Sequence, residues 1–361
     1  MVESKSKGKA KAVTDKASDK EAPKFQPCRK TLKHSNKPLT RITRLAPRYW
    51  PTWLGIGFMW LVVKLPFGMQ LAAGRKLGLL FRLFSGYRRS IVRTNINLCF
   101  PELSAQQRAQ LEKRSYESLG MSLIETAFAY WATDQRFDSH GTLDGLEHLQ
   151  AAHKQGKGVL LLSGHFCSPD FAGRVLVRYH PACFTYQKLR NKLFDNAIRT
   201  RRAKHCEILI NRFDTRSFIR TLKAGHVVWY APDQDQSRKN SVFAPFFGIP
   251  ANTLTATTKL VKLTGAMVLP FHIRRLPGCQ GYALTIEPPL QDFPGETETD
   301  DAARFNAIIE SQVREHPEQY LWTHRRFKTR PDASEKRYPQ KPRRVRKKKL
   351  RLKRKKRLAQ K

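Results

Sequence analysis

The segment Gly164-His165-Phe166-Cys167-Ser168-Pro169-Asp170-Phe171 places an imidazole and a carboxylate with four residues between them, at a boundary between two kinds of local structure. Before it, Gly158-Val159-Leu160-Leu161-Leu162-Ser163 is a short apolar run of the kind that forms a buried strand. After it, Ser168-Pro169-Asp170 has the grammar of a helix start, with an N-cap serine, proline at the first helical position and an acid in the first turn. His165 and Asp170 are therefore expected to face each other across a strand-to-helix turn, where open α/β sheets hold their ligands. Such a pair suits acylation of a hydroxyl. The imidazole removes the hydroxyl proton as the oxygen attacks, and a carboxylate on the other ring nitrogen fixes the tautomer and stabilises the imidazolium. The oxyanion that forms then needs a cation or a pair of N–H donors.

The spacing is a weak signal alone, although this is the only His-x4-Asp in the chain. A histidine satisfied inside the core at a strand end competes with the catalytic reading. Cys167 as a nucleophile beside His165 is a third reading, without flanking grammar to support it. Asp233 and Asp235, in Pro232-Asp233-Gln234-Asp235, also have the composition of an ordinary loop. His140, His148 and His153 share no metal-ligand spacing with nearby acids, so no metal is expected there.

The elements that must position these residues are legible in outline. Apolar runs recur at Phe184–Tyr186, His226–Tyr230, Met267–Phe271 and Tyr282–Ile286, with helical stretches at Asp170–Tyr179, Phe194–Ala203, Ser217–Ala224 and Leu254–Thr264 between several of them. That alternation predicts an α/β domain with a mainly parallel central sheet flanked by helices. Upstream, Leu77–Phe84 and Ser115–Trp131 carry apolar residues at spacings of three and four, as helices do. Tyr49–Val63 is uncharged over 15 residues, which as a helix covers about 22 Å against the roughly 30 Å of a hydrocarbon core. Trp50, Trp53 and Trp60 suit a membrane–water interface, and basic residues flank the run on both sides, so a shallow or re-entrant anchor is expected. A buried helix of a soluble protein is the alternative.

The expected organisation is a disordered basic arm over 1–40, a membrane anchor over 41–66, a catalytic domain over 67–331 and a basic tail over 332–361. A hydrophobic fraction of 40% is enough for a buried core. Residues 1–40 hold 11 Lys/Arg against 4 Asp/Glu and residues 331–361 hold 16 against 2, so +18 of the net +39 remains on residues 41–330. So basic a chain implies a polyanionic partner: nucleic acid, an anionic lipid surface or an acidic carrier protein. The six cysteines show neither a Cys-x-x-Cys pair nor a regular spacing, which argues against a zinc site and against a disulfide framework, and for a reducing, cytoplasm-facing domain. No secretory signal opens the sequence.

Further segments extend the pattern: Arg48–Gly57, Trp229–Gln236, Ser241–Gly248, Ala256–Thr258 and Glu318–Pro331. Together with Gly164–Phe171 these resemble the late acyltransferases of lipid A biosynthesis, collinearly from about Pro47 to Pro331. The resemblance implies a glycerolipid-acyltransferase-like fold and transfer of a fatty acyl chain from acyl carrier protein. The acceptor it implies is a hydroxyl of a 3-hydroxyacyl chain on a Kdo-bearing lipid A precursor, at the cytoplasmic face of the inner membrane. It implies no metal and no diffusible cofactor. The family's catalytic histidine falls on His165, its paired acid on Asp170, and its Asp-x-Asp on Asp233 and Asp235. Two positions depart from the pattern. The acid after the histidine is commonly Glu there and is Asp170 here. The family's Tyr-Arg-Pro block reads Tyr186-Gln187-Lys188-Leu189-Arg190-Asn191, which leaves Lys188 or Arg190 to take the arginine's place. Arg325 and Arg326, near the domain's end, are candidates for the precursor's phosphates.

Two other functions compete. One is a glycerolipid acyltransferase making phosphatidic acid, against which the segment Trp229–Gln236 argues. The other is a polycationic nucleic-acid binder, suggested by the tail Arg343–Arg357. No reader module accompanies that tail and the apolar anchor has no use in such a protein, so nucleic acid is not expected as a partner.

Overall fold

The computed structural model describes residues 41–236, 239–332 and 337–340. The expected arm over 1–40 and the tail beyond residue 340 lie outside them. Along the described residues the chain runs α1 (Arg41–Leu45), α2 (Trp50–Val62), α3 (Phe67–Phe84), α4 (Gly86–Cys99), α5 (Ala105–Trp131), α6 (Asp134–Asp138), β1 (Gly141–Asp144), α7 (Leu146–Lys154), β2 (Val159–Leu162), α8 (Pro169–Tyr179), β3 (Phe184–Tyr186), α9 (Lys192–Lys204), β4 (Leu209–Asn211), α10 (Thr215–Lys223), β5 (Val227–Tyr230), β6 (Ser241–Phe246), β7 (Ile249–Leu254), α11 (Ala256–Thr264), β8 (Met267–Arg275), β9 (Tyr282–Ile286) and α12 (Glu298–Glu315).

The main sheet has strand order β1-β9-β8-β2-β5. β2 pairs in parallel with β5 and β8, and β1 in parallel with β9, while β8 and β9 run antiparallel. The sheet is thus mainly parallel, as the alternation of strands and helices predicts. β2 lies inside the sheet between β8 and β5, and its four residues are fully buried because helices cover both faces. Alternate side chains divide accordingly. Val159 and Leu161 pack with Phe128 of α5 and Phe171 of α8. Leu160 and Leu162 pack with Phe218 and Leu222 of α10, Val261 of α11 and Phe305 of α12. β3 and β4 form a small parallel pair, and β6 and β7 an antiparallel hairpin. The hairpin turns through Phe247 (φ 54°) and Gly248 (φ 69°), the two left-handed residues of a tight primed turn.

Glycine sets the packing of α3 on α5. A Cβ on Gly120 would lie 2.2 Å from the carbonyl oxygen of Gly74 and 2.5 Å from the Cα of Gly78. The two backbones approach so closely only because small residues recur along the seam, Gly74 and Gly78 standing one turn apart. α2 presents a different surface. Its 13 residues cover about 20 Å. Val62 is buried at its end, whereas Trp50, Leu54, Phe58 and Leu61 are each more than half exposed. Leu83 and Phe84 at the end of α3 are exposed as well. Among the described residues no helix is long and apolar enough to cross a membrane.

The C-terminal segment after α12 folds back over the start of the domain. Asn95 of α4 donates to the carbonyls of Trp322 and His324, each at 2.7 Å. Arg326, expected at the surface, is 2% exposed. It donates to the Asn252 carbonyl (2.7 Å), the Thr253 hydroxyl (2.9 Å) and Asn306 Oδ1 (3.0 Å), so it ties β7 to α12. Asp235 is also buried and accepts from the backbone N–H and the hydroxyl of Thr329 at 2.6 and 3.0 Å. Tyr338, beyond the expected domain end at Pro331, packs among Ile91, Ile96 and Phe327.

Gly120→Ala is expected to destabilise the protein by about 2–3 kcal/mol and to lower its melting temperature by roughly 5 °C or more, since the new methyl overpacks a backbone contact. Gly57→Ala, which meets nothing within 4 Å on the exposed α2, should leave the melting temperature unchanged or raise it. Melting curves of both variants check the pair.

Candidate active site

The register of the sheet brings the site together. β2 and β5 pair with Leu162 opposite Tyr230, and both chains leave the sheet at that edge. Three residues further along each chain stand His165 and Asp233, so two separate loops meet at the carboxyl ends of adjacent parallel strands. The backbone N–H of His165 donates to Asp233 Oδ2 at 2.8 Å, and its Nδ1 is hydrogen-bonded to Asp233 Oδ1. An ionised carboxylate only accepts, so Nδ1 is the donor in this pair, and in the neutral imidazole that tautomer leaves the lone pair on Nε2.

Asp233 is 1% exposed. Burial alone would raise its carboxyl, but attraction to His165, the two bonds from that residue and the Tyr320 hydroxyl at 2.8 Å outweigh it. The group is held well below the usual carboxylate range. The orienting acid expected from sequence was Asp170, and here the structure corrects the expectation. The Asp170 carboxylate accepts from the Tyr130 hydroxyl of α5 and from the Arg202 guanidinium of α9, and among the described residues no hydrogen bond joins it to His165. The reason is where α8 points its first turn. It packs between α5 and α9, and a permanent guanidinium charge there holds the carboxylate. Arg202 Nε also donates to the Tyr130 hydroxyl at 3.0 Å, which closes a three-membered network.

The turn between His165 and α8 is held under backbone strain. Ser168 sits at the N-cap position with φ 83°, a left-handed conformation that serine rarely adopts. Its hydroxyl does not cap the helix, as the sequence suggested. It donates instead to Glu125 of α5, which is buried and ion-paired with Arg275 of β8. The C-terminal segment braces the same turn, with Cys167 N–H donating to the Gln319 carbonyl (2.7 Å) and Leu321 N–H to the His165 carbonyl (3.0 Å). Cys167 is buried, and burial pushes its thiol up to about 11, which removes it as a nucleophile.

His165 and Asp170 line one cavity of about 230 Å³, together with Tyr130, Phe184, Arg202 and Trp229. With Nδ1 on Asp233, the ring nitrogen left for this cavity is Nε2. Its apolar wall and its guanidinium come from different elements, Phe184 and Trp229 from strands and Arg202 from α9. Arg212 lines it as well. Lys188 and Arg190 lie exposed on the loop after β3 and are not part of the wall, to which that loop contributes Gln187. Arg325 is half-buried and Arg326 buried, both away from the wall, and Asp235 is occupied by Thr329. Tyr130, Arg202 and Tyr320 were not anticipated. In the sequence Arg202 is one of several bases in a helix, and neither tyrosine lies beside a catalytic residue along the chain. A second depression of about 440 Å³, between Phe100 and Arg314, contains none of these groups.

Comparison with known proteins agrees in extent with this arrangement. The family model of the bacterial lipid A biosynthesis acyltransferases matches residues 38–329. The lipid A biosynthesis palmitoleoyltransferase of Escherichia coli strain K12 is 40% identical over 288 residues, covering 80% of this chain and 94% of that protein. The lauroyltransferase of the same strain is 39% identical over 305 residues, covering 84% and 100%. A lipid A biosynthesis acyltransferase of Haemophilus influenzae is 34% identical over 305 residues, covering 83% and 97%. With the match running from before α2 through β2 and β5 to Thr329, this chain belongs to the bacterial lipid A biosynthesis acyltransferase family, and it is an acyltransferase.

Proposed function

We propose that the protein transfers a fatty acyl chain from an acyl carrier protein thioester to the hydroxyl of a 3-hydroxyacyl chain on a Kdo-bearing lipid A precursor, with His165 as the general base. The observation that carries this reading is His165 on the wall of the cavity with its Nδ1 hydrogen-bonded to the buried Asp233, which leaves Nε2 as the ring nitrogen for the cavity. Nε2 takes the proton of the acceptor hydroxyl as its oxygen attacks the thioester carbonyl. The buried Asp233 carboxylate stabilises the imidazolium, as the acid of a catalytic triad does. Arg202, held by Asp170 and Tyr130, supplies positive charge for the oxyanion. Collapse of the tetrahedral intermediate breaks the carbon–sulfur bond, and the leaving thiolate recovers the proton from His165. The lipid A names of the relatives support this acceptor over the glycerolipid one. The net +18 on residues 41–330 supports an acidic carrier protein and an anionic lipid surface as partners.

The same reading places the protein on the cytoplasmic face of the inner membrane, with α2 lying in the interface. Its exposed apolar residues support this, as does its position. Thr52 accepts a hydrogen bond at 2.6 Å from Asn191, on the loop whose Gln187 lines the cavity.

His165→Ala is expected to lower turnover by about 10³-fold or more, and Asp233→Asn by roughly 10²-fold or more, since it leaves the ring without its orienting charge. Asp170→Asn should cost less than Asp233→Asn, because it loosens Arg202 and leaves the dyad intact. Turnover with acyl carrier protein thioester and lipid A precursor measures all three. The reverse order of the two aspartates would return the orienting role to Asp170, and an active His165→Ala would dismiss the mechanism.

For the membrane, the full chain should stay with the membrane fraction in high salt, and the double variant Phe58→Asp, Leu61→Asp should move to the supernatant. Release of the unaltered chain by salt alone would make the attachment electrostatic.

A further inference from the structure

A second cluster of reactive side chains lies at the opposite ends of the strands that carry the site. Cys183 directly precedes β3, Glu207 stands two residues before β4, and His226 directly precedes β5. β3 pairs in parallel with β4, and Cys183 bridges in parallel to Val228 of β5, so the amino ends of three strands come together. His226 Nδ1 lies 3.0 Å from Glu207 Oε1, and Cys183 Sγ lies 3.8 Å from Glu207 Oε2. One ligand atom from each residue lies within 4.8 Å of the other two.

We propose that Cys183, Glu207 and His226 form a structural binding site for a zinc-type divalent cation. A tetrahedral ion with bonds of about 2.0–2.3 Å separates its ligand atoms by roughly 3.3–3.7 Å, so the three atoms need move by about an ångström or less. One thiolate, one imidazole and one carboxylate suit a borderline-soft ion. Cys183 binds as the thiolate and gives its proton to solvent. Its backbone is already fixed, its N–H donating to the Val227 carbonyl (2.7 Å) and its carbonyl accepting from Trp229 (3.1 Å). Glu207 is fixed likewise, its N–H donating to the Ala182 carbonyl at 2.9 Å. The ion enters from the side of His226 and Glu207, whose side chains keep 29% and 32% exposure, and water completes its shell. Bound there, it pins the small β3–β4 sheet to β5. Those strands carry Phe184 and Trp229 of the cavity wall, so the ion supports the site without touching it.

The test uses the full chain in detergent, stripped with a chelator and titrated with Co²⁺ alone. One equivalent is expected to bind, with a thiolate-to-cobalt charge-transfer band that Cys183→Ser removes. His226→Ala should weaken binding by about tenfold or more. Zn²⁺ should raise the melting temperature of the unaltered chain, and that of folded His226→Ala by clearly less at the same Zn²⁺ concentration. No uptake of Co²⁺ by the unaltered chain would overturn the proposal. A band that survives in Cys183→Ser would overturn it too, since the ion would then sit on another cysteine.

Discussion

The parallel pairing of β2 with β5 is the constraint on which the site depends. With Leu162 opposite Tyr230, the two loops leave the sheet side by side and Asp233 receives both the backbone N–H and the ring of His165. A carboxylate 1% exposed costs several kcal/mol when unpaired, and here three hydrogen bonds, one of them from the imidazole, offset that cost. A shift of one residue in register would point the alternate side chains of β2 to the wrong helices and separate the dyad at once. The fold and the His165–Asp233 pair are therefore stabilised by the same contacts.

Around the dyad, the turn from His165 to α8 is held from three directions. Glu125 of α5 and Arg275 of β8 grip the Ser168 hydroxyl through a buried ion pair, and the segment Gln319–Leu321 hydrogen-bonds the backbone on either side of Phe166. A serine at φ 83° persists only when its surroundings over-determine it, and these do. The energy stored in that turn fixes where α8 begins and hence where Asp170 can reach. It reaches Arg202. The two acids of the site have different partners, Asp233 the His165 ring and Asp170 the Arg202 guanidinium.

At the molecule's edge the physics changes from burial to exposure. α2 leaves Trp50, Leu54, Phe58 and Leu61 uncovered, and its Thr52 is hydrogen-bonded to Asn191 on the loop that lends Gln187 to the cavity wall. An apolar shelf next to a basic, base-containing pocket suits a substrate with acyl chains and anionic groups, and the net positive charge of residues 41–330 extends that match over a longer range.

The sequence alone determined what depends on local pattern. Continuous apolar runs marked β2, β5 and β9, three-and-four spacing marked α3 and α5, and the strand-to-helix grammar located His165, because each signal is written in neighbouring residues. β1 and β4 escaped, being three or four residues long with polar members, and the hairpin β6–β7 was seen only as a motif. Partner choice was not legible. The nearest acid along the chain is Asp170, yet the acid on the ring is Asp233, 68 residues away, because strand register decides which loops meet. Arg326 looked like a surface phosphate ligand and is instead a buried clasp, since burial is a property of the folded surroundings and not of residue type. Cys183, Glu207 and His226 have no ligand spacing because they lie before three different strands. Only the pairing of those strands in three dimensions brings them into contact.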